Sequence, residues 1–285
     1  MRDLALTLCF ALVLGSALPL LRADEPKPEP ALYNVIDEET ELKLGAQFAA
    51  RTESENPMLG PGAIESYVDS VGQRMAKTSR RPNIAYTFKV VNTATINAFA
   101  LPGGHIFVYR GLLMAAENED ELAFVLGHEV GHVVGRHSIN HLSRFALVQM
   151  LIQQAKSTGV VSDQIIAQVV QLVGGPAMLI DLAFSREEES DADLFGVYNS
   201  VRAGWDPHGS LAMFEVFKKF TGDPSLMKKL MSSHPLPQVR IDDVQKELSH
   251  MKIPTGLRQT SAAFDAMKLG MRLLGPPMPE PKKNQ

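Results

Sequence analysis

NEDELAFVLGHEVGHVVGRH, residues 118–137, is the stretch on which the fold of this chain turns. Asn118 followed three residues later by Glu121 is a capping-box signature, and it opens a helix with apolar residues Leu122, Phe124, Val125, Leu126 and Val133. Inside that helix, His128-Glu129-Val130-Gly131-His132 is an HExxH pentapeptide. Four residues advance a helix by ~6 Å and slightly more than one turn, so both imidazoles leave one face toward one ion. Neutral imidazoles suit zinc, and Glu129 beside them is placed to take a proton from water. Without such a role, two histidines and a glutamate on a packed helix face would bury polar groups at a cost.

A catalytic zinc takes three protein ligands and keeps a fourth position open. The candidate third ligand is Glu189, in Ser185-Arg186-Glu187-Glu188-Glu189-Ser190-Asp191-Ala192-Asp193, where Ser185 and Glu188 form a second capping box. A helix N-terminus favours negative charge, which accounts for Glu187 and Glu188 and stays open as a reading of Glu189. It leaves unexplained the i,i+4 carboxylate pair Glu189 and Asp193 beside small Ala192.

Outward from these two helices, 285 residues with 45% apolar and 21% charged side chains suit one compact domain. A net charge of -4 gives no reason to expect nucleic acid as a partner. Residues 4–21 form an apolar run that turns polar at Arg22. It reads as a signal peptide over residues 1–23 cleaved after Ala17 or Ala23, with an uncleaved anchor as the alternative. Cys9 lies inside that run, so its removal leaves neither disulfide nor thiol chemistry. Residues 24–35 read as a leader, 36–275 as the folded domain, and 276–285, rich in Pro and Lys, as a disordered tail.

Within the domain, a helix is expected over 37–52, closed by Asn56-Pro57, then a second carrying Ile64, Tyr67, Val68, Val71 and Met75. Three β-prone runs, 84–91, 95–100 and 105–109, read as a three-stranded antiparallel sheet turned by Pro102-Gly103-Gly104. Residues 145–184 read as helices with one greasy face, broken at Gly174-Gly175-Pro176. A turn at 204–207, a helix through Leu211, Phe214 and Phe217, and a last helix near 239–248 complete the pattern.

Four blocks of the sequence add up to a resemblance. They are Asn97-Ala98-Phe99-Ala100-Leu101-Pro102-Gly103-Gly104, residues 127–137, residues 185–196, and a weaker Ser233-His234-Pro235 with Arg240. Together, over about residues 35–250, they resemble the HtpX-like and CAAX-prenyl-protease-like family of zinc metallopeptidases, in its exported bacterial branch of the BepA and LoiP type. The resemblance implies an α+β, mainly helical zincin-type (gluzincin) domain with a small antiparallel sheet beside the HExxH helix. It implies one Zn2+ per chain held by His128, His132 and Glu189, with Glu129 as the catalytic glutamate. Asp193 matches an acid that supports the far nitrogen of a ligand histidine, fixing its tautomer. His234 matches a histidine near the metal, as a fourth ligand or an oxyanion donor; on its own residues it reads equally as a surface or capping histidine before Pro235. Arg240 matches a nearby basic residue that would also face the oxyanion.

The same resemblance places substrate binding on Asn97, Ala98, Phe99 and Ala100, and on His105, Ile106 and Phe107 of a cleft-edge strand that would pair with an extended peptide. His137, His141, His208 and His250 read as structural or solvent-facing. The implied function is an endopeptidase acting on unfolded or misfolded envelope proteins in the periplasm, associated peripherally with the outer membrane or its assembly machinery. A rival is a zinc-containing, non-catalytic, chaperone-like binder. Too little chain follows residue 250 for the tetratricopeptide array that some exported relatives append, and no later span is expected to cross a membrane.

Overall fold

The computed structural model describes residues 34–158, 184–220, 222–236 and 238–280. The apolar leader, the break at Gly174-Gly175-Pro176 and residues 281–285 lie outside them. Helix α1 (Glu38–Glu55) starts where Asp37 accepts the Thr40 N–H at 2.8 Å, and it ends at Asn56 ahead of Pro57. Helix α2 (Ala63–Thr78) buries Val68, Val71 and Met75, the stripe its periodicity indicated. Strands β1 (Thr87–Val91), β2 (Ala98–Leu101) and β3 (His105–Tyr109) follow. The rest is helical: α3 (Arg110–Ala115), α4 (Glu119–Val134), α5 (His137–Thr158), α6 (Arg186–Ala203), α7 (Gly209–Phe220), α8 (Pro224–Ser233), α9 (Gln238–His250) and α10 (Ala262–Leu273). The mainly helical α+β fold with a small sheet beside the HExxH helix is therefore the fold the chain adopts. Among the described residues, no helix is long and apolar enough to cross a membrane.

The sheet departs from the three-stranded antiparallel expectation in one respect. β2 and β3 form the antiparallel hairpin, turned by Gly103 and Gly104 at φ 74° and 90°, a conformation that side chains resist. β1, however, pairs parallel to β3, with Thr87 opposite His105 and Val91 opposite Tyr109. The strand order is β1-β3-β2. Consecutive strands are not neighbours here, because residues 92–97 carry the chain across one strand width and β3 inserts into the gap. β3 is thus an interior strand, hydrogen-bonded on both sides, and β1 and β2 are the edge strands among the described residues.

Both faces of the sheet are covered over β2 and β3, which is why these strands lack polar alternation, while β1 keeps it at Thr87 and Lys89. Val90, Ala98, Ala100, Ile106 and Val108 join the main core with Met75 of α2 and Leu122 and Leu126 of α4. Phe99, Leu101, Phe107 and Tyr109 face the other way and pack on Ala49 of α1, with the Phe99 and Phe107 rings stacked 5.2 Å apart. Residues 276–280, expected as the start of a disordered tail, instead run beside the β1–β2 connection. The Met278 N–H donates to the Asn92 carbonyl at 2.8 Å, and Glu280 accepts from Thr93 at 2.9 Å and from Thr95.

Candidate active site

The site is made where α4 and α6 cross, the most extensive helix contact in the fold. Small residues let the two backbones touch. A Cβ on Gly131 would lie 2.9 Å from Phe195 Cβ and 3.0 Å from Ala192 Cα, and one on Gly196 would lie 3.1 Å from the His128 nitrogen. This close approach carries His128 and His132 of α4 to the same level as Glu189 and Asp193 of α6. Gly131→Val should therefore lower stability by about 1–3 kcal/mol, because the obstructing atoms are backbone and Cβ and cannot swing aside. A thermal melt measures it; an unchanged melting temperature would mean that the crossing has room to spare.

Capping sets where each helix starts. Ser185 Oγ accepts the Glu188 N–H at 3.2 Å and Glu188 accepts the Ser185 N–H at 2.9 Å, the reciprocal capping box indicated for α6. α4 does start after Asn118, but its box is not closed as expected. Glu121 reaches one residue further back and accepts the Glu117 N–H at 2.7 Å, while its own N–H donates to Asp120 Oδ1 at 2.9 Å, and Asn118 makes no side-chain cap.

His128, His132, Glu189 and His234 bring one ligand atom each to within 4.8 Å of one another, all buried. His132 Nε2 is 3.0 Å from His128 Nε2 and 3.4 Å from Glu189 Oε1. His234 Nδ1 is 3.3 Å from His128 Nε2 and 2.9 Å from Glu189 Oε1. Ligands about 2.0–2.1 Å from a tetrahedral zinc stand roughly 3.3 Å apart, so this donor set fits that ion. Its composition, three imidazoles and one carboxylate, fits as well. Glu129 lies beside the set, its Oε1 3.7 Å from His234 Nε2. Glu129 Oε2 and His234 Nε2 are buried without hydrogen-bond partners among the described residues.

A charged layer lies behind the donors. Asp193 Oδ1 is 2.9 Å from His128 Nδ1, leaving Nε2 of that ring for the metal. Arg240 grips Asp193 with Nε and Nη2, both at 2.7 Å, while Nη1 donates to the Pro235 carbonyl at 2.7 Å and lies 2.6 Å from Glu189 Oε2. Every guanidinium nitrogen is engaged, so Arg240 is not free to face an oxyanion as the resemblance implied; it holds the two acids of α6 in place.

Burial raises the Glu129 carboxyl above its ordinary value, although His234 and His128 oppose the rise. Burial would raise Glu189 too, but His234 and the hydrogen bond from His132 outweigh it and hold that carboxyl well below its ordinary value. Burial drives His132 well down and lowers His137 to about 4. For His234 burial is outweighed by Glu189 and Glu129, which raise it.

The residues expected to bind substrate separate into two groups. His105, Ile106 and Phe107 sit on interior strand β3, with His105 Nδ1 3.0 Å from the Thr87 hydroxyl, Ile106 in the main core and Phe107 under α1. They do not form a cleft edge, and Phe99 likewise packs under α1. Ala98 and Ala100 of β2 do face the site. The Tyr109 N–H donates to the Asn97 carbonyl at 2.9 Å, and alternation along the ladder then turns the peptide groups of Ala98 and Ala100 away from β3. Ala98 lines an apolar cavity of about 380 Å³, including its open mouth, with His128, Glu129, Phe124, Phe214 and His234. Ala100 lines a second of about 180 Å³ beside His132. Asn97 is buried, its side-chain oxygen without a hydrogen-bond partner among the described residues.

Two histidines that read as structural or solvent-facing in the sequence stand against the site. His137 Nδ1 lies 2.8 Å from His132 Nδ1, and His141 Nε2 lies 2.9 Å from Glu188 Oε2. The signal for His137 was its position immediately after Gly135-Arg136, a break that lets the chain double back.

Comparison with known proteins agrees with this geometry. The model of peptidase family M48 matches residues 63–248, well over half of the chain. The chain is 24% identical over 263 residues to the β-barrel assembly-enhancing protease of Escherichia coli (strain K12), covering 88% of this chain and 53% of that protein. It is 26% identical over 246 residues to the protein of that name in Yersinia pestis, covering 82% and 48%. To the mitochondrial metalloendopeptidase OMA1 of Arabidopsis thaliana it is 34% identical over 163 residues, covering 56% and 31%. The chain thus spans about half the length of the assembly-enhancing proteases it matches. The family match and the His/His/Glu cluster together support zinc metalloendopeptidase activity. The chain belongs to peptidase family M48.

Proposed function

We propose that this chain is an exported, periplasmic zinc endopeptidase of the assembly-enhancing branch, and that it cleaves unfolded or misfolded envelope proteins. The observation that carries the reading is the buried donor cluster with Glu129 beside it, set against β2, a terminal strand of the sheet among the described residues. Zinc bound by His128, His132 and Glu189 would supply the Lewis acidity that acidifies water and polarises a peptide carbonyl. Glu129, its basicity raised by burial, accepts the proton of the attacking water and then delivers it to the leaving amine. The Ala98 and Ala100 peptide groups hold the substrate backbone as an added strand, which selects extended segments over folded ones. A catalytic zinc keeps one position for water, and His234, at the end of α8 and within the donor cluster, would hold that position in the resting arrangement.

The relatives' name, β-barrel assembly-enhancing protease, supports a link to β-barrel assembly; the envelope substrate and the contact with the outer membrane or its assembly machinery belong to the proposal itself. Elemental analysis of the purified protein should find one zinc per chain, and the loaded protein should degrade casein while sparing a tightly folded protein. Absence of zinc, with no uptake on its addition, would remove the metal reading. Mass spectrometry of the cell-derived protein should show an N-terminus after Ala17 or Ala23; an intact Met1 in the membrane fraction would favour the anchor.

A further inference from the structure

His137 stands outside both the donor set and the HExxH pentapeptide, yet its ring is buried against His132, with centroids 5.0 Å apart. Its Nδ1 lies 2.8 Å from His132 Nδ1. That nitrogen is on the far side of the His132 ring from Nε2, which faces His128 and Glu189. We propose that His137 is a positioning residue, which accepts the Nδ1–H of His132 and holds that imidazole in the tautomer and plane that present Nε2 to the metal. The inference rests on the metallopeptidase reading above.

Proton counting supports the direction of the bond. An imidazole that gives its Nε2 lone pair to a cation carries its proton on Nδ1. Two nitrogens 2.8 Å apart share one proton, since two N–H groups would collide and two lone pairs would repel. His137 Nδ1 is then the acceptor, and the proton of that ring sits on Nε2. Phe184 completes the confinement, stacking on the face of His132 with centroids 4.0 Å apart and planes 21° from parallel. His132 is thus held at its edge by His137 and on its face by Phe184.

The backbone departs from ordinary preferences to place that ring. Had α4 continued, residue 137 would stand about 140° round the helix from residue 132 and could not meet it. The chain breaks instead. A Cβ on Gly135 would lie 2.2 Å from His137 Nε2 and 2.7 Å from Cδ2, so only glycine leaves space for the ring. Arg136 then adopts φ 53°, a left-handed conformation unusual for a residue with a side chain. It is held there by Nε donating to Glu41 and Nη2 donating to the Ile36 carbonyl, both at 2.8 Å. Glu41 is buried and also accepts from Arg81 at 2.9 Å, so the turn is fixed from α1 and from the segment after α2. Asn140 donates to the Gly135 carbonyl at 3.2 Å and closes the break. His128 is supported differently, by the carboxylate of Asp193 in the fork of Arg240. One ligand histidine leans on an anion and the other on a neutral ring.

The test measures zinc affinity of the full chain by chelator competition, for the unmodified protein, His137→Phe and His137→Gln. Phenylalanine fills the space without an acceptor and should weaken zinc binding by about 10- to 100-fold, the scale of a lost outer partner. Glutamine offers an acceptor oxygen and should restore affinity to within about threefold of the unmodified chain. Nitrogen NMR of the imidazoles in the unmodified, zinc-loaded chain provides an arm that needs no variant, and should find His132 protonated at Nδ1. Equal affinity in all three proteins, equal loss in both variants, or a His132 bare at Nδ1 each overturns the proposal. No zinc uptake by the unmodified chain would sink the metal reading itself, an outcome distinct from uptake that is indifferent to residue 137.

Discussion

Replacing Glu129 with glutamine should leave zinc content and melting temperature nearly unchanged while hydrolysis of casein falls by roughly 10²- to 10⁴-fold, the scale of a lost general base. The expectation follows from where the side chain stands. Glu129 is next to a ligand in the chain but is not in the donor set, and its Oε2 has no hydrogen-bond partner among the described residues. Glutamine therefore fits without breaking a bond to a ligand, and a buried carboxylate disfavoured by desolvation is replaced by a neutral amide. Only the proton acceptor is lost. A zinc-loaded Glu129→Gln protein that cleaves as fast as the unmodified one would take Glu129 out of its assigned role.

The control is His234→Ala. With His234 Nδ1 closing the donor set, its removal should raise turnover several-fold in the zinc-loaded protein. A drop of about 10²- to 10³-fold would instead assign His234 to the oxyanion. Zinc-loaded protein that stays inert toward several unfolded substrates, with His234 present or absent, would favour the chaperone-like binder.

What was legible in the sequence was what short-range physics determines. Ser185 and Glu188 start α6, the i,i+4 spacing pairs His128 with His132, and glycines at 103 and 104 turn the hairpin; each acts within a few residues. The order of the strands was not legible, because inserting β3 between β1 and β2 is a long-range pairing that no local period encodes. That one insertion makes β3 an interior strand and leaves β2 at an edge of the sheet. Helices α8 and α10 were missed although they left marks. Pro224 stands at the first position of α8 with Met227 and Leu230 buried behind it, and Ser261 caps α10 ahead of Phe264, Met267 and Met271. The first omission mattered for the site, since α8 brings His234 to the cluster, its N–H bonded to the Leu230 carbonyl at 2.6 Å. For Arg240 the sequence showed a cation near an active site, and only the fold shows that its fork already holds Asp193.

Removing that fork should be the most destabilising single change in the site. Arg240→Leu keeps much of the packing against Phe214, 5.6 Å from the guanidinium carbon, but leaves Asp193 and Glu189 buried without their cation. Breaking one side of a buried ion pair costs about 3–5 kcal/mol, because the remaining charge has lost both its partner and its water. At roughly 2–4 °C per kcal/mol for a chain of this size, the melting temperature of chelator-treated protein should fall by about 10 °C. Arg240→Lys should recover little of it. One ammonium cannot span both oxygens of Asp193 while reaching Glu189 and the Pro235 carbonyl, as the planar guanidinium does. The same pair of variants separates a positioning role from an oxyanion role. If Arg240 acts by holding Asp193 behind His128, zinc affinity falls in Arg240→Lys and turnover returns once zinc is saturating. Turnover that stays low at full zinc occupancy would place the guanidinium at the reacting carbonyl instead, and the reading of its four contacts as a brace would be wrong.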